Sequence, residues 1–157
     1  MTWTPHATVA VVVERDGRYL LVKELCHGEI VYNQPAGHIE EGESILDAAT
    51  RETLEESGWE VDLKSIIGLY TYKAPSNGVT YYRICFEAKA IKKVTNTLDQ
   101  DILSEHWLSY DEIRSLENRN LLRSPLVKTC IDDFKSNQRY PLTMIKESTT
   151  SSNHTTS

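Results

Sequence analysis

The 157 residues hold 17 Lys and Arg against 23 Asp and Glu, a net charge of −6, with 39% hydrophobic and 25% charged side chains; this is enough chain for one domain with a real core, and the wrong sign for a nucleic-acid groove. The longest apolar run, "TVAVVV" (8–13), is too short to span a bilayer, and "MTWTPHATVAVVVERDG" has neither the basic start nor the small-residue cleavage site of a signal peptide. Cys26, Cys85 and Cys130 are odd in number, scattered and never in a CxxC pair, which fits reduced thiols in a cytoplasmic protein better than disulfides or zinc.

Along the chain, "HATVAVVVE" (6–14) is apolar and β-branched enough for a buried strand, "RDGR" supplies an Asp16-Gly17 turn, and "YLLVKEL" returns as the second strand of a hairpin. Cys26 to Glu43 is expected to be a loop, with "QPAG" and "EEGE" as breakers. Ser44 to Ser57 has a helical pattern that closes at Gly58. "DLKSIIGLYTYKA" and "YYRICFEAKAI" form another expected strand pair around "PSNG", turning at Asn77-Gly78. A polar loop follows Lys92, then a short strand around His106 to Leu108. "SYDEIRSL" carries capping-box spacing from Ser109 to Glu112 and opens a helix. "SPLVKTCIDDFKSNQ" opens another, with Ser124 as cap and Pro125 at the first helical position. The final "ESTTSSNHTTS" has almost nothing to bury, so the expectation is one domain over 1–146 and a disordered polar tail over 147–157. Strands before, between and after helices predict an α+β fold, a mixed sheet packed between helices.

The acidic excess has one address. Between Gly37 and Glu60 stand Glu40, Glu41, Glu43, Asp47, Glu52, Glu55, Glu56 and Glu60 against Arg51 alone, a net −7 that leaves the rest of the chain near +1. At roughly 100° per residue, Glu52, Glu55 and Glu56 fall within about a 100° arc, on the side that also carries Ile45, Ala48 and Ala49. A stripe with small alanines presses against a sheet, so the acids extend an inward face toward a cleft. They also sit where the helix dipole is negative and where like charges repel at i, i+3 and i+4. Desolvated carboxylates need protons or a counter-charge, and Arg51 cannot neutralise three acids plus Glu43. A divalent ion is the natural remainder. An all-oxygen donor set points to Mg²⁺ or Mn²⁺, ions that commonly hold substrate phosphates. That chemistry points to hydrolysis of a phosphate ester or diphosphate.

The stretch "GHIEEGESILDAATRETLEESGW" has Gly37, five residues, Glu43, seven residues, then "RE..EE.G", and it resembles the Nudix box of Nudix hydrolases. Thr53 departs from the pattern, which prefers an aliphatic residue there. The resemblance implies an α/β/α sandwich and cleavage of a phosphoanhydride by metal-activated water, with Mg²⁺ as cofactor and Mn²⁺ as a substitute. It assigns Glu52, Glu55 and Glu56 to the metal with the Gly37 carbonyl assisting, Arg51 to orienting those acids, and Glu43 to holding Arg51. Glu52 or Glu56 is then the proton acceptor, with Asp101 or Glu105 as the other option. "NQPAGHIE", "YYRICF", "LLRSPLV" and "QRYPL" extend the resemblance over Trp3 to Ile145, to a narrower phosphatase group within the family. That group implies release of orthophosphate from nucleoside tri- and diphosphates, and activity on the pyrimidine diphosphate precursor of thiamine.

For the substrate, Arg83 sits mid-strand, where either a phosphate or a neighbouring acid explains its charge. Trp3, Tyr32 and Tyr81 offer flat surfaces for a base, though core or rim positions suit them as well. Gln34 and His38 flank the "PAG" turn. Arg123 and Arg139 read as helix-end charges. The expected partner is a nucleotide or other small diphosphate, with no nucleic acid and no membrane, and a monomer is favoured. The alternatives are a pyrophosphatase for ADP-ribose or another nucleoside diphosphate derivative, a non-catalytic nucleotide-binding module, and an interaction protein with a solvated acidic helix. A binding module usually loses some box acids, and none is missing.

Overall fold

The apolar run after His6 becomes β1 (His6–Arg15), a strand buried on both faces. In this computed structural model, which describes residues 2–148, β1 pairs antiparallel with β4 (Ala36–His38) on one edge and parallel with β6 (Thr80–Lys93) on the other. β6 in turn pairs antiparallel with β5 (Trp59–Lys73). Alternation along β1 feeds two cores. Val9, Val11 and Val13 join Phe86, Ala88, Ala48 and Ala49 on one face. Ala10 and Val12 join Cys85, Ile67, Val127, Cys130 and Ile131 on the other.

Asp16 and Gly17, at φ 54° and 76°, make the tight turn into β2 (Arg18–Cys26). The hairpin opens after two residue pairs, Glu14 with Tyr19 and Arg15 with Arg18. β2 then runs between β3 (Glu29–Asn33) and β7 (Ile102–Ser109). β1 therefore belongs to two sheets and forms the corner between them. The segment expected to be a loop, Cys26 to Glu43, contains both β3 and β4. β3 returns through a turn at His27 and Gly28, each at positive φ, while β4 is three residues that add to the edge of β1. The strands expected from Asp62 and from His106 also begin earlier, at Trp59 and Ile102.

α1 (Ile45–Ser57) starts where the Ser44 hydroxyl accepts from Asp47 N–H and ends on Gly58 in the left-handed region, φ 78°. It lays Ala48 and Ala49 on the first core. Glu147, which the sequence reading places in the polar tail, accepts from the Ile45 and Leu46 N–H groups at the start of α1; residues 149–157 of that tail lie outside the described residues. α2 (Tyr110–Asn118) carries the full Ser109–Glu112 capping box. α3 (Leu126–Lys135) has Pro125 rather than Ser124 at its cap position, although the Ser124 hydroxyl still accepts from Leu126 N–H at 3.2 Å. With α1 on one face and α2 and α3 on the other, the chain is the expected α/β/α sandwich with a mixed sheet. Among the described residues no helix is long and apolar enough to cross a membrane.

Candidate active site

The last two turns of α1 pass over β4, and the contact is closer than any side chain at Gly37 allows. A Cβ there would stand 1.6 Å from Glu52 Oε2. Next to it, Ala36 N–H donates to Glu56 Oε1 at 3.0 Å. Beyond the end of the helix, Asp99 N–H donates to the Glu55 carbonyl at 3.0 Å, pinning the loop between β6 and β7 against α1. These backbone contacts bring one carboxylate oxygen each from Glu52, Glu56 and Asp99 within 4.8 Å of one another.

Such proximity is costly for three charges. Burial pushes the Glu56 carboxyl up to about 9, opposed by its bond from Ala36 and reinforced by Glu52, Glu24 and Asp99. Burial likewise lifts Glu52 to about 7, with Arg51 opposing and Glu55 and Asp99 adding to the rise. Both are thus poised to exchange protons for a cation. Three carboxylate oxygens at this spacing, with no nitrogen or sulfur donor among them, fit a hard divalent ion.

Arg51 organises the other side. It forms a two-pronged bond with Glu43, reaches the His38 carbonyl at 3.1 Å and holds Glu55 at 3.0 Å, with Glu52 3.6 Å away. The bond from Arg51 keeps the Glu43 carboxyl below its ordinary range, against a smaller effect of burial. Of the three box acids, Glu52 and Glu56 meet in the cluster, whereas Glu55, with its side chain 42% exposed, is tied to Arg51. Asp99 takes the third place. The two auxiliary acids named from sequence lie elsewhere. Asp101 lines the adjoining cleft, and Glu105 is occupied by Trp59 Nε1 at 3.0 Å and Lys93 at 3.4 Å. Asp99 stands in a polar loop with no motif, and only its nearness to Asp101 in the chain hinted at it.

The adjoining cleft holds about 650 Å³ and is lined by Glu24, His27, Glu56, Asp99, Asp101 and Arg123, among others. Arg123, expected to be a helix-end charge, instead bonds Glu24 at 2.6 Å across this cleft wall. Arg139 is paired with Glu87 at 3.0 Å and lies over the Phe134 ring.

Three of the five residues proposed for the substrate share one sheet face beside β4. Arg83 stands between Thr8 and Tyr70 of the flanking strands, with its Nε and Nη1 buried and without partners. Gln34, 1% exposed, donates to Cys85 Sγ, but its Oε1 has no partner, nor does Thr8 Oγ1. Tyr81 packs against His6 and His38, whose rings share a 3.0 Å hydrogen bond. Trp3 lies apart, 64% exposed and edge-on to Tyr82. Tyr32 faces His106 in a separate cavity of about 240 Å³ against α2.

Comparison with known proteins places the chain in a family. Residues 4–130 match the family described as the NUDIX domain. The chain is 40% identical over 143 residues to phosphatase NudJ of Escherichia coli (strain K12), with 90% of each chain covered. A NUDIX hydrolase from Nitrosomonas europaea has a similar structure at TM-score 0.90 and 41% identity, covering 94% of this chain and 100% of that one. The NUDIX domain of Shewanella oneidensis NrtR, solved in complex with ADP ribose, shares the fold at TM-score 0.69 and 14% identity, covering 87% of this chain and 90% of that one. The chain belongs to the Nudix family and is a hydrolase acting on phosphoanhydride bonds.

Proposed function

We propose that the protein is a Mg²⁺-dependent phosphohydrolase that releases phosphate from nucleoside tri- and diphosphates and also acts on the pyrimidine diphosphate precursor of thiamine. The observation that carries the reading is the meeting of Glu52, Glu56 and Asp99 within 4.8 Å beside a glycine that leaves no room for a side chain. These acids, with the Gly37 carbonyl and Glu55 nearby, would hold the ion, for which Mn²⁺ can substitute. Held by these residues, the ion would supply neutralisation of the phosphate chain and activation of a water. Glu52 or Glu56 would take the proton of the attacking water. Arg51, fixed by Glu43, keeps the acids in register.

Arg83 and Gln34 support the pyrimidine part of the reading. Buried donors and acceptors without partners are costly until a ligand meets them. A 4-aminopyrimidine edge would offer a ring acceptor to Arg83 and an amino donor to Gln34 Oε1. Cytosine nucleotides and the thiamine precursor both carry that edge. Tyr81, beside them, is the aromatic placed to flank the ring. The similarity to phosphatase NudJ favours orthophosphate as product, and three free thiols fit a cytoplasmic setting.

The test is a panel of nucleoside triphosphates, nucleoside diphosphates, the thiamine-pathway pyrimidine diphosphate and ADP-ribose, scored separately for orthophosphate and pyrophosphate. Orthophosphate from the first three with Mg²⁺, abolished in Glu56→Gln with the fold intact, is the expected result. Dominant turnover of ADP-ribose would overturn the substrate assignment, and turnover unchanged in Glu56→Gln would overturn the role of the cluster.

A further inference from the structure

The cleft next to the acid cluster has an unusual charge pattern. Glu24, Glu56, Asp99 and Asp101 line it, and Arg123 is the one Lys or Arg among its lining residues. Arg123 is held there by the fold. Its N–H donates to the Tyr32 carbonyl and Tyr32 N–H donates to the Leu121 carbonyl, both at 2.8 Å, so residues 121–123 run alongside β3. From that position the side chain crosses to β2, where Nη1 bonds Glu24 Oε1 at 2.6 Å. The Glu24 side chain is 8% exposed and that of Arg123 is 44% exposed. The guanidinium is thus anchored by one nitrogen to a buried carboxylate, while Nε and Nη2 have no acceptor among the described residues. An arginine fixed in this way needs little further ordering to grip a phosphate through its remaining donors.

Building on the phosphohydrolase reading, we propose that Arg123 binds the terminal phosphate of the substrate and so directs cleavage to the last anhydride bond. A phosphate chain held through an ion at Glu56 and Asp99 would meet Arg123, which lines the same cleft. Apart from Glu56 and Asp99, the acidic residues that line the cleft are Glu24 and Asp101, so it offers no second Lys or Arg to a further phosphate. The chain therefore ends there. Water oxygen bonds to the terminal phosphorus, and the bridging P–O bond breaks with its electron pair on the leaving phosphate. The water proton passes to Glu52 or Glu56. The products are orthophosphate and a substrate shorter by one phosphate.

The full chain is compared with Arg123→Gln and Arg123→Lys. With a nucleoside triphosphate and Mg²⁺, Arg123→Gln is expected to raise KM about 10- to 100-fold and to move product from orthophosphate toward pyrophosphate. Arg123→Lys, which keeps the charge but loses the fork, falls between. Two readings need no turnover. Inorganic pyrophosphate binding to the Mg²⁺-loaded protein, by calorimetry, should weaken at least about tenfold in Arg123→Gln, and Mn²⁺ binding, by electron paramagnetic resonance, should not change. Unaltered KM and pyrophosphate affinity would overturn the proposal, as would equal loss of Mn²⁺ binding, which would make Arg123 a support for Glu24 and the acids. If Arg123→Gln fails to fold, the Arg123→Lys comparison decides on the same readings. If the unaltered protein hydrolyses no phosphoanhydride, the functional reading fails, while the pyrophosphate arm still decides the role of Arg123.

Discussion

Gly37 shows how one hydrogen atom sets the site. Its Cα faces Glu52 so closely that a methyl group would overlap the carboxylate. Gly37→Ala is therefore expected to displace Glu52 by about 1 Å or more and to lower kcat about 100-fold, with a melting temperature close to that of the unaltered protein; circular dichroism and steady-state kinetics check both. Glu56 gives a second expectation. Its carboxyl, lifted from 4.5 to about 9 by burial, keeps its proton in the folded chain and loses it in the unfolded one between those values. The folded state then binds more protons, so stability falls as pH rises through that window. His38, lowered by burial and by His6, acts oppositely but only below its ordinary 6.5. Between pH 7 and 8.5 the contribution of Glu56 in the metal-free protein should be lost as pH rises, so stability should fall more steeply, or rise less, with pH in the unaltered protein than in Glu56→Gln, read by denaturant titrations.

At the scale of elements, α1 is a helix with a conflict at its end, and its other features hold it in place. Ser44 and Glu147 satisfy its first N–H groups, Gly58 ends it, and Lys93 reaches the Ser57 carbonyl at 2.7 Å, supplying a cation at the negative end. Thr53, the departure from the box, is fully buried, but its hydroxyl bonds the Ala49 carbonyl at 2.8 Å within the same helix. The polar atom is satisfied locally, so packing in the core is kept. α2 depends more simply on its cap. Ser109→Ala removes the hydroxyl that accepts from Glu112 N–H and should cost about 1 kcal/mol, read as a shift in the urea midpoint with an unchanged slope.

Across the whole molecule, β1 holds the two sheets together, and the site lies where α1, β4 and the loop after β6 converge near that strand. An ion bound there would link three segments that otherwise meet through a few backbone hydrogen bonds and repelling acids. Mg²⁺ should accordingly raise the melting temperature in a concentration-dependent way, by about 2.7 kcal/mol of stability at a hundredfold excess over its Kd. Chelation should reverse the gain, and Glu56→Gln should reduce it.

Local signals by themselves determined a good part of this protein. The strand at His6, the Asp16-Gly17 turn, the limits of α1, the capping box of α2 and the spacing of Arg51, Glu52 and Glu56 each depend on residues within one or two turns of chain. So did the inward face of the acidic helix, because Ala48 and Ala49 share it. Tertiary structure alone decided what depends on distant partners. β3 and β4 exist because β2 and β1 offer edges to pair with, which no local period in Cys26 to Glu43 announces. Asp99 joins Glu52 and Glu56 because its N–H finds the Glu55 carbonyl, and Glu55 is drawn away by Arg51. Arg123 reaches the cleft because residues 121–123 pair beside β3. A carboxylate or guanidinium looks the same in any loop; its task is fixed by the backbone that a remote strand or helix holds against it.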